Sequence, residues 1–484
     1  MALQLGTRVQ HKEFGPGQLV KVLGRQAVVN FFGEELDVQL SDLTAEKEPV
    51  VEVESRVREG NRHLFRRCHE SINLGVVPPE PDQLLALTIG GEVLASKTAK
   101  WLHDAPRKGF GKVVFGDYGQ GKSHLLKVIG ASALRAGWVV SFVEFDPKQA
   151  DPAKPHLVYR AIANNLRFPS RKDGSRASGF FDFIGEVRLH WDKMVGTEYF
   201  AQSPWFEPAL RTLRFHSHSS EDTEYVQAVD WLAGQPVPHS VIAGLSRGQR
   251  IAAPKAMPKS LETADIYVFH LVVVHELCQR LGYRGLLVIL DEAEHVRGFS
   301  VTRRVRANNF FDFLACSAHP PLRGRPTPLS NEHGIALPTF LNKGPHFALV
   351  VALTEGATFS DPTASLREAC VFLHSKDDVV RLSPPSVSDY REWCQKYFGQ
   401  YVEHFGDGLS LPTDRPLRER LAEVLASEYE RQAAPERNIR LWGKMAAFAC
   451  ASMMSKGVAS TTDLEDLLRR VARDAAGEIQ PWDQ

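Results

Sequence analysis

The sequence lacks long apolar runs and a net charge of either sign. In the 484-residue sequence, no apolar run reaches the roughly 18 residues that are needed to span a bilayer. The N-terminus has no signal-peptide pattern. Lys plus Arg equals Asp plus Glu, at 58 each, which argues against a strong attraction of the whole chain for nucleic acid. We therefore expect a cytoplasmic protein with no membrane partner.

Cysteine is also scarce. The six cysteines stand at positions 68, 278, 316, 370, 394 and 450, and no two of them form a C-x-x-C pair. Scattered cysteines of this kind are typical of buried thiols in a reducing compartment. The sequence therefore predicts no structural zinc ion.

What the sequence does contain is a G-x-x-x-x-G-K-[ST] pattern at residues 116–123, which is typical of a phosphate-binding loop. A short apolar strand is predicted before it, at residues 112–115, and a helical pattern begins after it. The candidate nucleotide-binding residues are Gly116, Asp117, Tyr118, Gly119, Gln120, Gly121, Lys122, Ser123 and His124. The alternative is a glycine turn before a helix, with an incidental lysine.

The residue types of this loop suit a triphosphate. Glycines allow positive φ and carry no Cβ, so consecutive backbone N–H groups can surround a phosphate beside the positive end of a helix. Lys122 would place its charge between the β- and γ-phosphates, and the Ser123 hydroxyl would bind Mg²⁺. The predicted cofactors are therefore ATP and Mg²⁺.

A second element ends at Asp291, 169 residues after Lys122. Residues 286–290 are all apolar, as expected of a parallel strand covered on both faces, and ligands bind at the carboxyl ends of such strands. We predict that Asp291 binds Mg²⁺ together with Ser123 and that Glu292 accepts a proton from the attacking water. The alternative for Asp291 is an ordinary helix N-cap.

A third apolar strand is predicted at residues 347–353 and is followed by Thr354. In ATPases that insert a strand between the phosphate-loop strand and the carboxylate strand, the polar residue at its tip can orient the attacking water. Thr354 is the candidate for this role, so the predicted catalytic residues are Glu292, Lys122 and Thr354. Thr354 could also simply begin a loop.

Composition and periodicity divide the chain into four parts. Residues 1–45 are predicted to form a small β-barrel, and residues 46–83 a charged linker followed by a helix. Residues 84–382 alternate strands and helices, which indicates a parallel α/β sheet, with a helical insertion at about residues 169–259. Residues 383–484 have helical periodicity and are predicted to form a lid domain.

Three sets of residues have roles that the sequence leaves open. The aromatic residues of the insertion could stack on bases, but packing inside a helical subdomain explains them more simply. Arg437 or Arg440 could sense the γ-phosphate. Arg303, Arg304 and Arg306 could complete the nucleotide site of a neighbouring subunit. Arg437 and Arg440 could equally be surface residues. Arg303, Arg304 and Arg306 could equally form a basic helix start or a surface that contacts nucleic acid.

These motifs resemble those of the ATP-binding proteins of bacterial BREX phage-defence systems. The resemblance covers about residues 56–450 and rests on the segments 75–79, 116–126, 154–160 and 282–294. It implies an AAA+-like P-loop ATPase, with Lys122 and Ser123 at the phosphates and Mg²⁺, and with Asp291 and Glu292 at the metal and the water. Residues 1–45 resemble instead the Tudor-like or SH3-like modules of some bacterial helicases and transcription factors. Such modules usually bind a protein partner or DNA, and four basic against five acidic residues through Leu43 favour a protein partner here. The alternative is a purely structural appendage.

The resemblance also implies partners from the same defence system, of helicase, methyltransferase or nuclease type. DNA and further copies of the chain are additional candidates. Our main hypothesis is a Mg²⁺-dependent ATPase that couples its nucleotide state to assembly of a defence complex on DNA. The alternatives are a nucleotide-gated switch with little turnover and a small-molecule phosphotransferase.

Overall fold

The computed structural model divides the chain into two units, Met1–Arg66 and Arg67–Gln484. The residues that it describes are 8–11, 15–23, 26–31, 34–39, 41, 43–45, 50–78, 80–117, 119–169, 179–216, 219–258, 263–319, 335–354, 378–383, 386–405, 415–432, 439–456, 466 and 469–470. Helix α1 (Val50–Asn73) begins in the first unit and ends in the second.

The first unit contains a five-stranded antiparallel sheet in the order β4-β3-β2-β1-β5. Its strands are β1 (Arg8–His11), β2 (Gly15–Leu23), β3 (Gln26–Phe31), β4 (Glu34–Gln39) and β5 (Leu43–Ala45). Alternate side chains of a strand point to the same face, and here Val9, Leu19, Ala27, Val29 and Val38 are buried together. The closed barrel and its Tudor-like or SH3-like character stay predictions.

The second unit is built on a six-stranded sheet in the order β11-β6-β10-β9-β7-β8. Its strands are β6 (Gly111–Gly116), β7 (Val139–Glu144), β8 (Leu166–Arg167), β9 (Leu286–Asp291), β10 (Ala348–Thr354) and β11 (Val379–Arg381). The strands from β11 to β7 run parallel, and β8 pairs antiparallel with β7 at the edge. This mixed α/β sheet is compatible with a P-loop nucleotide-binding protein.

Helices cover both faces of this sheet, which explains why its central strands are apolar throughout. Successive side chains alternate between the faces, so Ile289 packs on the side of α4 while Val288 packs on the opposite side. The helices that precede the insertion or flank the sheet are α2 (Pro81–Leu87), α3 (Gly91–Lys108), α4 (Lys122–Arg135), α5 (Pro155–Asn164), α11 (Ala264–Arg280) and α12 (Val301–Ala318).

Among the described residues, five helices lie between β8 and α11 in the sequence, where a helical insertion was predicted. They are α6 (Gly179–Leu189), α7 (Trp191–Met194), α8 (Phe206–Leu213), α9 (Thr223–Leu232) and α10 (His239–Gly248). Most aromatic residues of this region are buried, namely Phe180, Phe183, Trp191, Tyr199, Phe200, Trp205, Phe206 and Trp231. These rings therefore form a core, and this burial leaves them unable to stack on bases.

The C-terminal helices are α13 (Val387–Phe405), α14 (Arg415–Glu430) and α15 (Ile439–Lys456). Helix α13 begins at a reciprocal cap, in which the Ser386 N–H donates to Asp389 Oδ2 (2.8 Å) and the Asp389 N–H donates to Ser386 Oγ (3.2 Å). The rings of Tyr390 and Trp442 stack at 3.9 Å and join α13 to α15.

Two sequence predictions concern the described residues as a whole. Within that part of the chain, no helix is both long and apolar enough to cross a membrane. The described cysteines are free and buried, at positions 68, 278, 316, 394 and 450. Cys370 lies outside the described residues.

Candidate nucleotide-binding site

The carboxyl ends of neighbouring parallel strands bring the predicted site residues to one edge of the sheet. Thr354, at the end of β10, pairs in register with Gly116, where the phosphate loop begins. Asp291, at the end of β9, pairs with Glu144 at the end of β7. Because parallel strands share their direction, these ends open onto the same crevice.

The loop between β6 and α4 adopts a turn that requires glycine at two positions. Gly119 has φ +77° and Gly121 has φ +92°, a region that residues with a Cβ rarely adopt. Two polar side chains brace the same turn, because the Asp117 N–H donates to Gln120 Oε1 (2.8 Å) and Gln120 Nε2 donates to Asp117 Oδ2 (3.1 Å). Tyr118 lies outside the described residues.

Lys122 is the first residue of α4, and its ammonium group turns back into the loop. Nζ donates to the main-chain oxygens of Gly116 (2.9 Å) and Asp117 (3.2 Å), and the residue is 8% exposed. A buried ammonium group needs hydrogen-bonding partners, and these carbonyl groups supply them. The positive charge therefore lies inside the turn that the glycines form.

Ser123 links the phosphate loop to the carboxylate strand. Its hydroxyl donates to Asp291 Oδ2 at 2.7 Å, between two residues that are far apart in sequence. Burial is the main cause that raises the pKa of Asp291, while the hydrogen bonds from Ser123 and from the Glu292 N–H act in the opposite direction. The structure thus brings together the two side chains that the sequence predicted as Mg²⁺ ligands.

Glu292 has an unusual backbone conformation for a residue with a Cβ. Its φ of 59° and ψ of 31° are left-handed, which costs about 1–3 kcal/mol. Its N–H donates to Asp291 Oδ1 (2.9 Å), and its Oε2 lies 3.6 Å from His295 Nε2. Burial and the charges of Glu294 and Asp291 raise the pKa of the Glu292 carboxyl, which suits a group that takes up a proton.

Thr354 contacts a third carboxylate, to which the sequence analysis had assigned no role. Its hydroxyl donates to Glu294 Oε1, and Glu294 lies on a 3₁₀ helix, Ala293–Gly298, that directly follows Asp291 and Glu292. The other oxygen, Oε2, is buried and has no hydrogen-bond partner among the described residues. The order Asp, Glu, Ala, Glu was the only local sign of this second glutamate, and spacing alone did not show where it points.

Comparison with known protein families gives a match to the BREX system ATP-binding protein BrxC/D. The match spans residues 65–187 and 182–316, more than half of the 484-residue chain. The chain belongs to this family. The predicted membership is therefore confirmed, and the BrxC/D chain is an ATP-binding component of the BREX defence system. No curated protein matches it.

In this BrxC/D chain, the His124 side chain contacts the turn after α2. His124 Nε2 lies 2.9 Å from Thr88 Oγ1, and the Thr88 hydroxyl itself donates to Leu84 O (2.7 Å). Since the single Thr88 proton is already used, His124 Nε2 is the donor. Burial, followed by the charge of Lys127, lowers the pKa of His124 to about 4. Only the main chain of His124 therefore stays a candidate phosphate ligand.

The C-terminal helices of the BrxC/D chain reach the phosphate loop. The N–H of Ile439, the first residue of α15, donates to Gly119 O at 3.2 Å. A Cβ added at Gly121 would lie 2.8 Å from Ile439 Cδ1. Nothing local in the sequence indicated this contact, because it depends on how the C-terminal helices pack.

Two of the three arginines that were candidates for a neighbouring subunit's site, Arg303 and Arg304, have partners inside the chain. Arg303 donates to Asp151 Oδ2 (3.0 Å) and stacks 3.9 Å from the centre of the Phe299 ring. Arg304 donates to Phe299 O at 3.2 Å. Arg306 is half-buried, Arg440 lies beside Gly75, and Arg437 lies outside the described residues.

Proposed function

We propose that this BrxC/D protein is an AAA+-like, Mg²⁺-dependent ATPase that couples its nucleotide state to assembly of a defence complex on DNA. One observation carries the hydrolytic part, the 2.7 Å hydrogen bond from Ser123 Oγ to Asp291 Oδ2. It joins the phosphate loop to the carboxylate strand. The AAA+-like assignment is supported by β10, which lies between β6 and β9 and ends at Thr354.

Ser123 and Asp291 would hold the Mg²⁺ ion. Hydroxyl and carboxylate oxygens suit Mg²⁺, which commonly takes one or two protein ligands and completes its shell with phosphate oxygens and water. Among the described residues, no group of three or more His, Cys, Asp or Glu side chains could hold a metal ion. The negative charge of Glu294 raises the pKa values of both Asp291 and Glu292. A bound cation would relieve this repulsion between the carboxylates. When bound, Mg²⁺ would neutralise charge on the phosphate oxygens.

The chain's own residues would bind the triphosphate and move one proton. Backbone N–H groups of the loop would hold the phosphates, and Lys122 would exchange its two carbonyl partners for phosphate oxygens, which are stronger acceptors for an ammonium group. Glu292 would take a proton from the water that attacks the γ-phosphorus, with Thr354 helping to orient that water. The bond from the γ-phosphorus to the β,γ-bridging oxygen breaks, which gives ADP and inorganic phosphate.

The other parts of the proposal rest on family membership and on the division of the chain. We assign partner binding to the N-terminal sheet, which is a separate unit, ATP chemistry to residues 84–382 and the lid to residues 383–484. The proposed partners are helicase, methyltransferase or nuclease proteins of the same system, with DNA and further copies of the chain. We propose a cytoplasmic location, where these partners and ATP occur together.

A steady-state ATPase assay with and without duplex DNA tests this function. We expect Lys122→Ala to lose ATP binding and Glu292→Gln to bind ATP but turn over at least about 100-fold more slowly, because a general base contributes that much or more. Glu221→Gln, in an exposed turn of the inserted helices, is the matched charge-neutralising control.

The outcomes separate the proposal from its alternatives. Tight ATP binding with negligible turnover, with or without DNA, would contradict hydrolysis and favour the nucleotide-gated switch. Phosphate release only after addition of a metabolite would indicate a phosphotransferase. Complex formation on DNA is measured separately by mass photometry in ATP and in ADP, and equal complexes in both nucleotides would contradict coupling.

A further inference from the structure

Glu294 follows Asp291 and Glu292 after the end of β9, and the proposed mechanism gives it no step. It stands on the 3₁₀ helix after β9, and its side chain reaches the tip of the neighbouring strand β10 at Thr354. One carboxylate oxygen accepts the Thr354 hydroxyl, while the other is buried without a hydrogen-bond partner among the described residues. A buried polar atom left unpaired is costly, so it needs an explanation.

The contact fixes what the Thr354 hydroxyl can do. A threonine hydroxyl has one proton to donate and two lone pairs to accept with, and here the proton is directed at Glu294 Oε1. The Thr354 oxygen can then only accept further hydrogen bonds. It can accept a hydrogen bond from a water molecule, but it cannot donate one to an oxygen of the γ-phosphate.

The position of Thr354 makes the direction of this hydrogen bond relevant to the reaction. Thr354 pairs with Gly116 at the start of the phosphate loop, and β10 also pairs with β9, which carries Asp291. A water between these strand ends has two protons to place. Glu292 would take one of them, and an accepting Thr354 oxygen would hold the other.

We propose that Glu294 is a positioning residue that holds the Thr354 hydroxyl as a hydrogen-bond acceptor for the attacking water. This inference rests on the proposed ATPase function and adds to it a residue that acts through Thr354. The role differs from a purely structural one, in which Glu294 would only fasten the 3₁₀ helix to β10.

The test compares Glu294→Ala, Glu294→Gln, Thr354→Val and the double variant Glu294→Ala/Thr354→Val in the steady-state ATPase assay. We expect each of Glu294→Ala and Thr354→Val to lower kcat by about 30- to 100-fold, since misplacing a reacting group by about 1 Å has effects of this size. ATP binding, measured with a fluorescent analogue, should change less than about twofold, because neither side chain lies in the phosphate loop. Glu294→Gln should recover most of the turnover, since its amide oxygen can accept the same hydrogen bond from the Thr354 hydroxyl.

The double variant distinguishes coupling from independent effects. If Glu294 acts through Thr354, the double variant loses no more than either single variant. Multiplied losses in the double variant, or normal kcat in Glu294→Ala beside a slow Thr354→Val, would overturn the inference. So would a loss in Glu294→Ala that is matched by lost ATP binding or a lowered melting temperature. Absence of turnover in the wild-type protein would instead overturn the proposed ATPase function, and the inference with it.

Discussion

Replacing His270 with phenylalanine should make the protein resist mild acid. His270 lies on α11, is fully buried, and has no hydrogen-bond partner for either ring nitrogen among the described residues. Four aromatic rings surround it edge-on with centroid distances of 4.8–5.5 Å, those of Tyr159, Trp205, Phe206 and Tyr267. A protonated imidazole in this apolar cluster would have no counter-charge.

The magnitude follows from the pKa of His270. Burial lowers it from its ordinary value of 6.5 to about 3, so the folded protein keeps this ring neutral at pH 5 while the unfolded chain protonates it. Because the pKa of His270 is lowered on folding, the residue costs almost no folding stability at pH 7. This cost grows as the pH falls below 6.5, the pKa in the unfolded chain. At about 1.4 kcal/mol for each pH unit, wild-type stability loses about 2 kcal/mol to this residue by pH 5.

The measurement is the difference in unfolding free energy between His270→Phe and the wild type, obtained from urea unfolding at pH 7 and at pH 5. Phenylalanine is larger than histidine, but the packing cost of that difference is the same at both pH values and cancels. The difference should shift by about 2 kcal/mol in favour of His270→Phe as the pH falls. Phe206→Leu, which changes packing in the same cluster without a titrating group, should show an equal destabilisation at both pH values. The same difference in unfolding free energy between His270→Phe and the wild type at pH 7 and at pH 5 would refute the reasoning.

Three further changes test other parts of the structure. Gly121→Ala should weaken ATP binding at least about 10-fold in an equilibrium titration, because it strains a φ of +92° and places a Cβ 2.8 Å from Ile439, whereas Gly244→Ala, with open space around it, should bind normally. Asp222→Ala should lower the free energy of unfolding by about 1 kcal/mol in urea, because it removes the acceptor of the Tyr225 N–H, and Asp222→Asn should lose much less. Equal losses in the two variants would contradict the cap. Lys112→Ala should cost about 3 kcal/mol because it leaves the Asp378 carboxylate, which is only 13% exposed, without its 2.6 Å partner. Lys112→Met/Asp378→Leu should restore most of that stability, and no recovery would contradict the ion-pair explanation.

The sequence predicted the phosphate loop and the central strands because their signals are local. An apolar strand, glycines at fixed spacing and a helical pattern lie next to one another around Lys122, so each supports the others. The approach of Asp291 to Ser123 was also predictable, because the carboxyl ends of parallel strands meet at one edge.

The contacts of Glu294 and Ile439 could not be predicted in the same way. Both depend on tertiary packing, in one case of a 3₁₀ helix against β10 and in the other of α15 against the loop. The left-handed backbone of Glu292 is likewise imposed by the turn out of β9, since nothing in its residue type favours positive φ. Sequence patterns therefore do not predict the directions in which side chains point after the end of a strand.

The register of β10 against β6 has a consequence for synthesis on the ribosome. Gly116 and Thr354 are neighbours in the sheet but stand 238 positions apart in the chain. While the polypeptide is still emerging, the strand before the phosphate loop must wait for a partner that is made much later. A truncated product that ends before residue 348 would contain the phosphate loop, Asp291 and Glu292, but it would lack β10, the strand that lies between them in the sheet. Fragments from premature termination should therefore not hydrolyse ATP.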